Sequence, residues 1–189
     1  MNGLISMIYF LATTLFNVVI FALWIRLALR ATHISSLHPM SQMIQSITNP
    51  FIAPISTLLS YFRIKSRHID WACLLVLLVV ECLKFIFLGF LLFQLLLPIT
   101  VLLIYVLADL IIQPCDLLFY ALLIRVVINW FDWRVQNPFM DVVRAITNPL
   151  LRLGYKIIPT FNGFDFVPFA LILFVKSLEI WVTHTITMI

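Results

Sequence analysis

Glu81 and Lys84 stand in the middle of LLVLLVVECLKFIFLGF, and Lys176 and Glu179 in LILFVKSLEIWV. Ionisable side chains inside such runs need a partner or a task. Carboxylate–ammonium sets can clamp helices together, relay protons or line an ion path. Nucleophilic and metal chemistry has much less to draw on. Cys73, Cys82 and Cys115 lie apart in apolar stretches with no C-x-x-C pair, which reads as small buried hydrophobes. His33, His38, His68 and His184 lack the i,i+4 spacing of a helical metal pair, so no metal site is expected. There is no Ser/His, Cys/His or glycine-rich phosphate motif. His68 with Asp70 is the nearest approach to one, and the expectation is a protein that is not an enzyme and holds no cofactor.

The elements that position these charges follow from composition. The chain is 63% hydrophobic and 11% charged over 189 residues. A soluble domain is nearer half apolar and a quarter charged, so the expected solvent is the bilayer and the fold class is an all-α polytopic membrane protein. A span needs about 20 apolar residues, and four are predicted: 4–31, 71–97, 99–131 and 166–187. No Lys, Arg, Asp or Glu precedes Arg26, so the first run reads as a retained span rather than a cleaved leader. Pro98 is the candidate turn between the middle spans. Pro114 is expected to kink the third, with Asp109 and Asp116 beside it at either the outer interface or the bundle interior. Arg63, Lys65, Arg67, Arg134, Arg144, Arg152 and Lys156 all fall in the connections 32–70 and 132–165, while the termini and the Pro98 turn carry no Lys or Arg. The positive-inside rule then puts both long connections in the cytoplasm and both termini outside.

ITNP occurs at 47–50 and again at 146–149. At that offset of 99, Arg125 falls on Arg26 and Pro138 on Pro39, and beyond the loops an offset of 95 brings Asp165 onto Asp70. The chain therefore reads as two parallel tandem repeats, 1–97 and 98–189, each a span, a cytoplasmic amphipathic loop and a span. Asn is a good helix N-cap and Pro a good first helical residue. Asn49-Pro50, Asn137-Pro138 and Asn148-Pro149 are thus expected to start short helices, the first one interrupted by Pro54. Arg144, Arg152 and Lys156 would face anionic head groups or a protein partner, unless the helices simply cover the end of the bundle.

An unpaired charge near mid-bilayer costs at least about 2.5–3.5 kcal/mol. Positions 81 and 176, and 84 and 179, correspond at the 95 offset with their signs exchanged. That exchange favours pairing across the repeats, Glu81 with Lys176 and Lys84 with Glu179. Pairing within one helix, Glu81 with Lys84, is the alternative. Arg26 and Arg125 have two options: snorkelling to head groups, or pairing with Asp70 and Asp165.

The second copy reads Arg125, Asn137-Pro138, Asn148-Pro149-Leu-Leu-Arg152, Lys156, Pro159, Gly163 and Asp165-Phe-Val-Pro168. With the first copy, this pattern resembles the YggT family, also called YlmG-like, of bacterial and plastid membrane proteins. The resemblance implies an integral protein of the bacterial cytoplasmic membrane without enzymatic activity. Roles tied to such proteins are cell division, osmotic or ion homeostasis and, in plastids, cytochrome complex assembly and nucleoid distribution. Two functions are expected to compete. One is a scaffold or assembly factor whose basic loops meet membrane lipids or a cytosolic or membrane protein. The other is an ion channel or transport component, which with four spans would need a homo-oligomer. Nucleic acid is not an expected partner.

Overall fold

The computed structural model describes residues 3–35, 37–61, 70–93, 98–130, 137–157 and 166–187. Among them stand six helices: α1 (Gly3–Ala31), α2 (Pro39–Tyr61), α3 (Trp71–Phe93), α4 (Ile99–Trp130), α5 (Pro138–Ile157) and α6 (Val167–Thr187). Four of these, α1, α3, α4 and α6, are long and apolar enough to cross a membrane.

Their ends have local causes. α1 stops in a Schellman motif. The His33 N–H donates to Arg30 O and the Ile34 N–H to Leu29 O, each at 3.1 Å. His33 takes the left-handed conformation this requires, with φ 57°. Asp70 caps α3, accepting from the Cys73 N–H at 3.4 Å. α4 begins directly after Pro98, whose carbonyl accepts from the Leu102 N–H at 3.0 Å. Residues 94–97, the rest of the expected turn, lie outside the described residues. Asn137 starts α5 as its sequence suggests, its Oδ1 accepting from the Phe139 N–H at 3.3 Å.

α1 packs along α3, and α4 along α6. The halves meet through α1–α4 and α3–α4, while α2 and α5 touch each other and lie together at one end. Leu29 of α1, Ile44 of α2, Ala121 of α4 and Val143 and Ile146 of α5 share one buried cluster there. Leu122, Leu151 and Val167 tie α4, α5 and α6. Large side chains such as Phe10, Leu15, Leu173 and Trp181 stay exposed along the spans, as expected where lipid is the solvent.

Two of the three Asn-Pro pairs do not start helices. α2 runs unbroken through Asn49-Pro50 and Pro54, and α5 through Asn148-Pro149. The reason is the buried stripe on each helix. Ile44, Thr48 and Ile52 are buried on α2, and Val143, Thr147 and Leu151 on α5. This i, i+4, i+8 spacing stays on one face only if the helix continues. A mid-helix proline costs about 3 kcal/mol, and burial of the flanking stripe offsets it. The asparagines are also engaged elsewhere.

Candidate functional site

The same latch is built in both halves. On α1, Arg26 Nη1 donates to Thr48 Oγ1 at 2.7 Å and to Asn49 Oδ1 at 2.8 Å. On α4, Arg125 Nη1 donates to Thr147 Oγ1 and to Asn148 Oδ1, each at 2.7 Å. Each threonine hydroxyl in turn donates at 2.8 Å to the carbonyl one turn back, Ile44 O or Val143 O. The repeated Thr-Asn is therefore the receptor for an arginine from the preceding span. Such charge-assisted bonds contribute about 1.5–3 kcal/mol each.

Asp70 completes the first latch. Its Oδ2 lies 2.5 Å from Arg30 Nη1 and 3.8 Å from Arg26 Nε. The expected pairing of Arg26 with Asp70 is thus present, with Arg30 the closer partner. Asp165, the expected partner of Arg125, lies outside the described residues. Position 30 corresponds to Asn129 in the second half, so that copy lacks the second arginine. A polar cavity of about 500 Å³, lined by Arg26, Arg30, His33, Ser41, Gln45 and Asp70, opens beside the first latch.

The intramembrane charges pair differently from the expected cross-repeat scheme. α3 and α6 make no contact among the described residues, so Glu81 does not meet Lys176 and Lys84 does not meet Glu179. Lys84 Nζ instead bonds Asp109 Oδ2 of α4, and lies 3.7 Å from Glu81 Oε2 on its own helix. Lys176 Nζ lies 3.0 Å from Asp116 Oδ1 of α4 and 2.5 Å from Glu179 Oε2. It also sits 4.5 Å from the Phe119 ring centroid. The physical reason is that α4 separates the two outer helices and supplies an aspartate to each. The within-helix alternative, Glu81 with Lys84, is present as a 3.7 Å approach, Lys176 and Glu179 pair within α6, and Lys84–Asp109 joins the two halves.

Asp109 and Asp116 are the residues that pairing glutamates with lysines one-to-one leaves out. A charge count shows the signal: apart from Arg26, Arg30 and Arg125 at the helix ends, the spans carry four carboxylates, Glu81, Asp109, Asp116 and Glu179, against two lysines, Lys84 and Lys176. Thr48 and Thr147 carry no comparable signal beyond their repetition.

Arg144, Arg152 and Lys156 are exposed on α5, opposite buried Val142, Val143, Ile146 and Leu151. Asp141, also exposed, stands 3.9 Å from His38 Nε2. Gly154 lets α5 approach α6 closely, since a Cβ there would stand 2.5 Å from Val167 Cγ1. No group of His, Cys, Asp or Glu suited to a metal ion occurs among the described residues.

The CCB3/YggT family model matches this chain twice, over residues 5–91 and 97–186. A relative in Escherichia coli strain K12, named "Uncharacterized protein YggT", is 25% identical over 177 residues, covering 94% of this chain and 89% of its own length. One in Vibrio alginolyticus, named "Uncharacterized protein in proC 3'region", is 29% identical over 157 residues, with 82% of each chain covered. No solved structure matches.

Proposed function

From the premise that this chain belongs to the CCB3/YggT family, we propose that it is a non-enzymatic scaffold or assembly factor of the bacterial cytoplasmic membrane. The observation that carries this reading is the docked, two-faced α5. Its apolar side is buried, Asn148 is held by Arg125 from α4, and Arg144, Arg152 and Lys156 point outward. A basic face fixed to a rigid frame suits anionic head groups or an acidic protein segment. In this reading α2 and α5 lie on the cytoplasmic side and both termini outside, following the distribution of Lys and Arg. Cell division or envelope homeostasis is the setting it takes.

A photoreactive residue in place of Leu153, exposed between the basic positions, tests it in native membranes. The expected product is an adduct to anionic lipid or to a protein, lost in Arg144→Ala/Arg152→Ala/Lys156→Ala. An adduct pattern unchanged by the triple variant rejects the reading.

Transport of ions is the second reading, favoured by the charged clusters on α3, α4 and α6. Ion flux into liposomes that is abolished by Glu81→Gln or Lys176→Met would replace the scaffold with it.

A further inference from the structure

The two charge clusters inside the spans, away from the arginines at the helix ends, do not balance. Glu81, Lys84 and Asp109 leave one negative charge if all are ionised, and Asp116, Lys176 and Glu179 leave another. Hydrocarbon does not solvate such an excess, which must be neutralised by a bound proton or cation. The two clusters house it differently. Lys176 reaches both of its carboxylates, and the side chains of Lys176, Asp116 and Glu179 remain 31%, 29% and 20% exposed. The Glu81 side chain is 0% exposed. Lys84 gives its hydrogen bond to Asp109, and its 3.7 Å approach to Glu81 is too long for another. Among the described residues, neither carboxyl oxygen of Glu81 accepts a hydrogen bond of good geometry, and the Asp109 carboxylate is within its side-chain reach.

A second buried acceptor is orphaned on the helix that packs along α3: Asn17 Oδ1 of α1. Two contacts bracket its level. The Cys73 thiol donates to Leu23 O at 3.6 Å, and the Phe16 and Phe87 rings lie 6.2 Å apart. Asn17 falls between these contacts on α1, and Glu81 falls between them on α3. The repeat gives the same placement. Asn17 corresponds to Asp116 and Glu81 to Lys176, and that second pair touches at 3.0 Å. In this orientation of the Asn17 amide an ionised Glu81 offers Oδ1 no donor, because both are acceptors. A protonated Glu81 has one donor, which is what Asn17 Oδ1 lacks.

We infer that Glu81 is an intramembrane proton-binding site, its carboxyl O–H facing two acceptors, the Asp109 carboxylate of the Lys84–Asp109 pair and Asn17 Oδ1. Lys84 and Asp109 are the ionised groups that face it. The described side chains of α2 include no ionisable group, and on α1 the arginines Arg26 and Arg30 are taken by Asp70 at the helix end. With the proton bound, the cluster is neutral. The second half does not repeat the device, because Asp116 stands where the first half has Asn17 and is bonded to Lys176. The inference does not depend on the scaffold reading.

Glu81 and Glu179 are the two glutamates of the chain, which makes the test selective. The full chain, grown with glutamate labelled in heavy carbon, is reconstituted in lipid at neutral pH and examined by infrared spectroscopy in light and heavy water. The expected result is a carbonyl band of an un-ionised carboxyl group that shifts with both isotopes. The band persists in Glu179→Gln and is lost in Glu81→Gln. The label identifies a glutamate in the unsubstituted chain, and Glu179→Gln identifies which one, so misfolding of Glu81→Gln leaves the test intact. Absence of the band, or its loss in Glu179→Gln, overturns the inference. So does a sodium-dependent gain in thermal stability without the band, which would put a metal cation where the proton is inferred.

Discussion

The cluster around Lys84 makes an asymmetric prediction. Lys84→Met removes the one cation beside Asp109 and Glu81. Breaking a buried pair from one side costs about 3–5 kcal/mol, because a charge is left without compensation. Asp109→Asn is different. The amide oxygen still accepts from Lys84, and Glu81, 3.7 Å away, can ionise to keep the site neutral. The loss is then the difference between a charged and a neutral hydrogen bond, about 1 kcal/mol. Adding Asp109→Asn to Lys84→Met removes the stranded carboxylate, so the double variant should be more stable than Lys84→Met alone. Denaturant unfolding of the purified protein in mixed micelles, followed by the fluorescence of its five tryptophans, measures all three. Equal costs for the two single variants, or strict additivity in the double, would refute the pairing. The exchange Glu81→Lys with Lys176→Glu should rescue nothing, since α3 and α6 do not touch among the described residues.

Two further predictions concern the ends of the spans. Arg125→Lys keeps the charge but loses the guanidinium that reaches Thr147 and Asn148 together. Losing one such bond costs about 1.5–3 kcal/mol, so amide exchange in α5 should quicken by about 10- to 100-fold, with no change meaning that the latch does not hold α5. Gly154→Ala puts a methyl group 2.5 Å from Val167 Cγ1 and 3.1 Å from Leu171 Cδ1. Val167 is buried and β-branched, so overpacking of about 1–3 kcal/mol should lower the thermal midpoint. Val167→Ala should recover part of that loss, and an unchanged midpoint in Gly154→Ala would refute the close approach.

The spans were legible because hydrocarbon thickness and apolar run length are one-dimensional facts. The expected 4–31, 71–97, 99–131 and 166–187 correspond to Gly3–Ala31, Trp71–Phe93, Ile99–Trp130 and Val167–Thr187. Asn137-Pro138 was legible for a similar reason, since a cap is a local matter. Asn49-Pro50 and Asn148-Pro149 were not. Their local propensity to start helices is overridden by an arginine 23 residues earlier in the chain and by a stripe of buried side chains on both sides of the proline. Pairing among the intramembrane charges failed for a different reason. Symmetry relates equivalent positions, but which helices touch depends on packing, and α4 lies where the symmetric scheme needed α3 and α6 to meet.

The exchange of signs between the halves has a reading that needs no contact between α3 and α6. In each half the lysine must reach an aspartate on α4. At the 95 offset Lys84 corresponds to Glu179, so Lys84 stands three residues, about 4.5 Å of helix, farther from the α2–α5 end than Lys176 does. Asp109 likewise stands seven residues, about 10 Å of helix, farther from that end than Asp116. Cation and anion are both displaced in the same direction, and the glutamate occupies whichever of the two positions the lysine vacates. What looks like complementary design between repeats is then a register shift of one bond relative to the other. The shift has a consequence for chemistry. At the position nearer the end, the second half places a lysine, which Asp116 and Glu179 satisfy. The first half places Glu81 there, opposite an asparagine, and so creates a buried carboxyl group with no ionic partner closer than 3.7 Å. Divergence at that one level, rather than the shared latch, is what gives the two halves different chemistry.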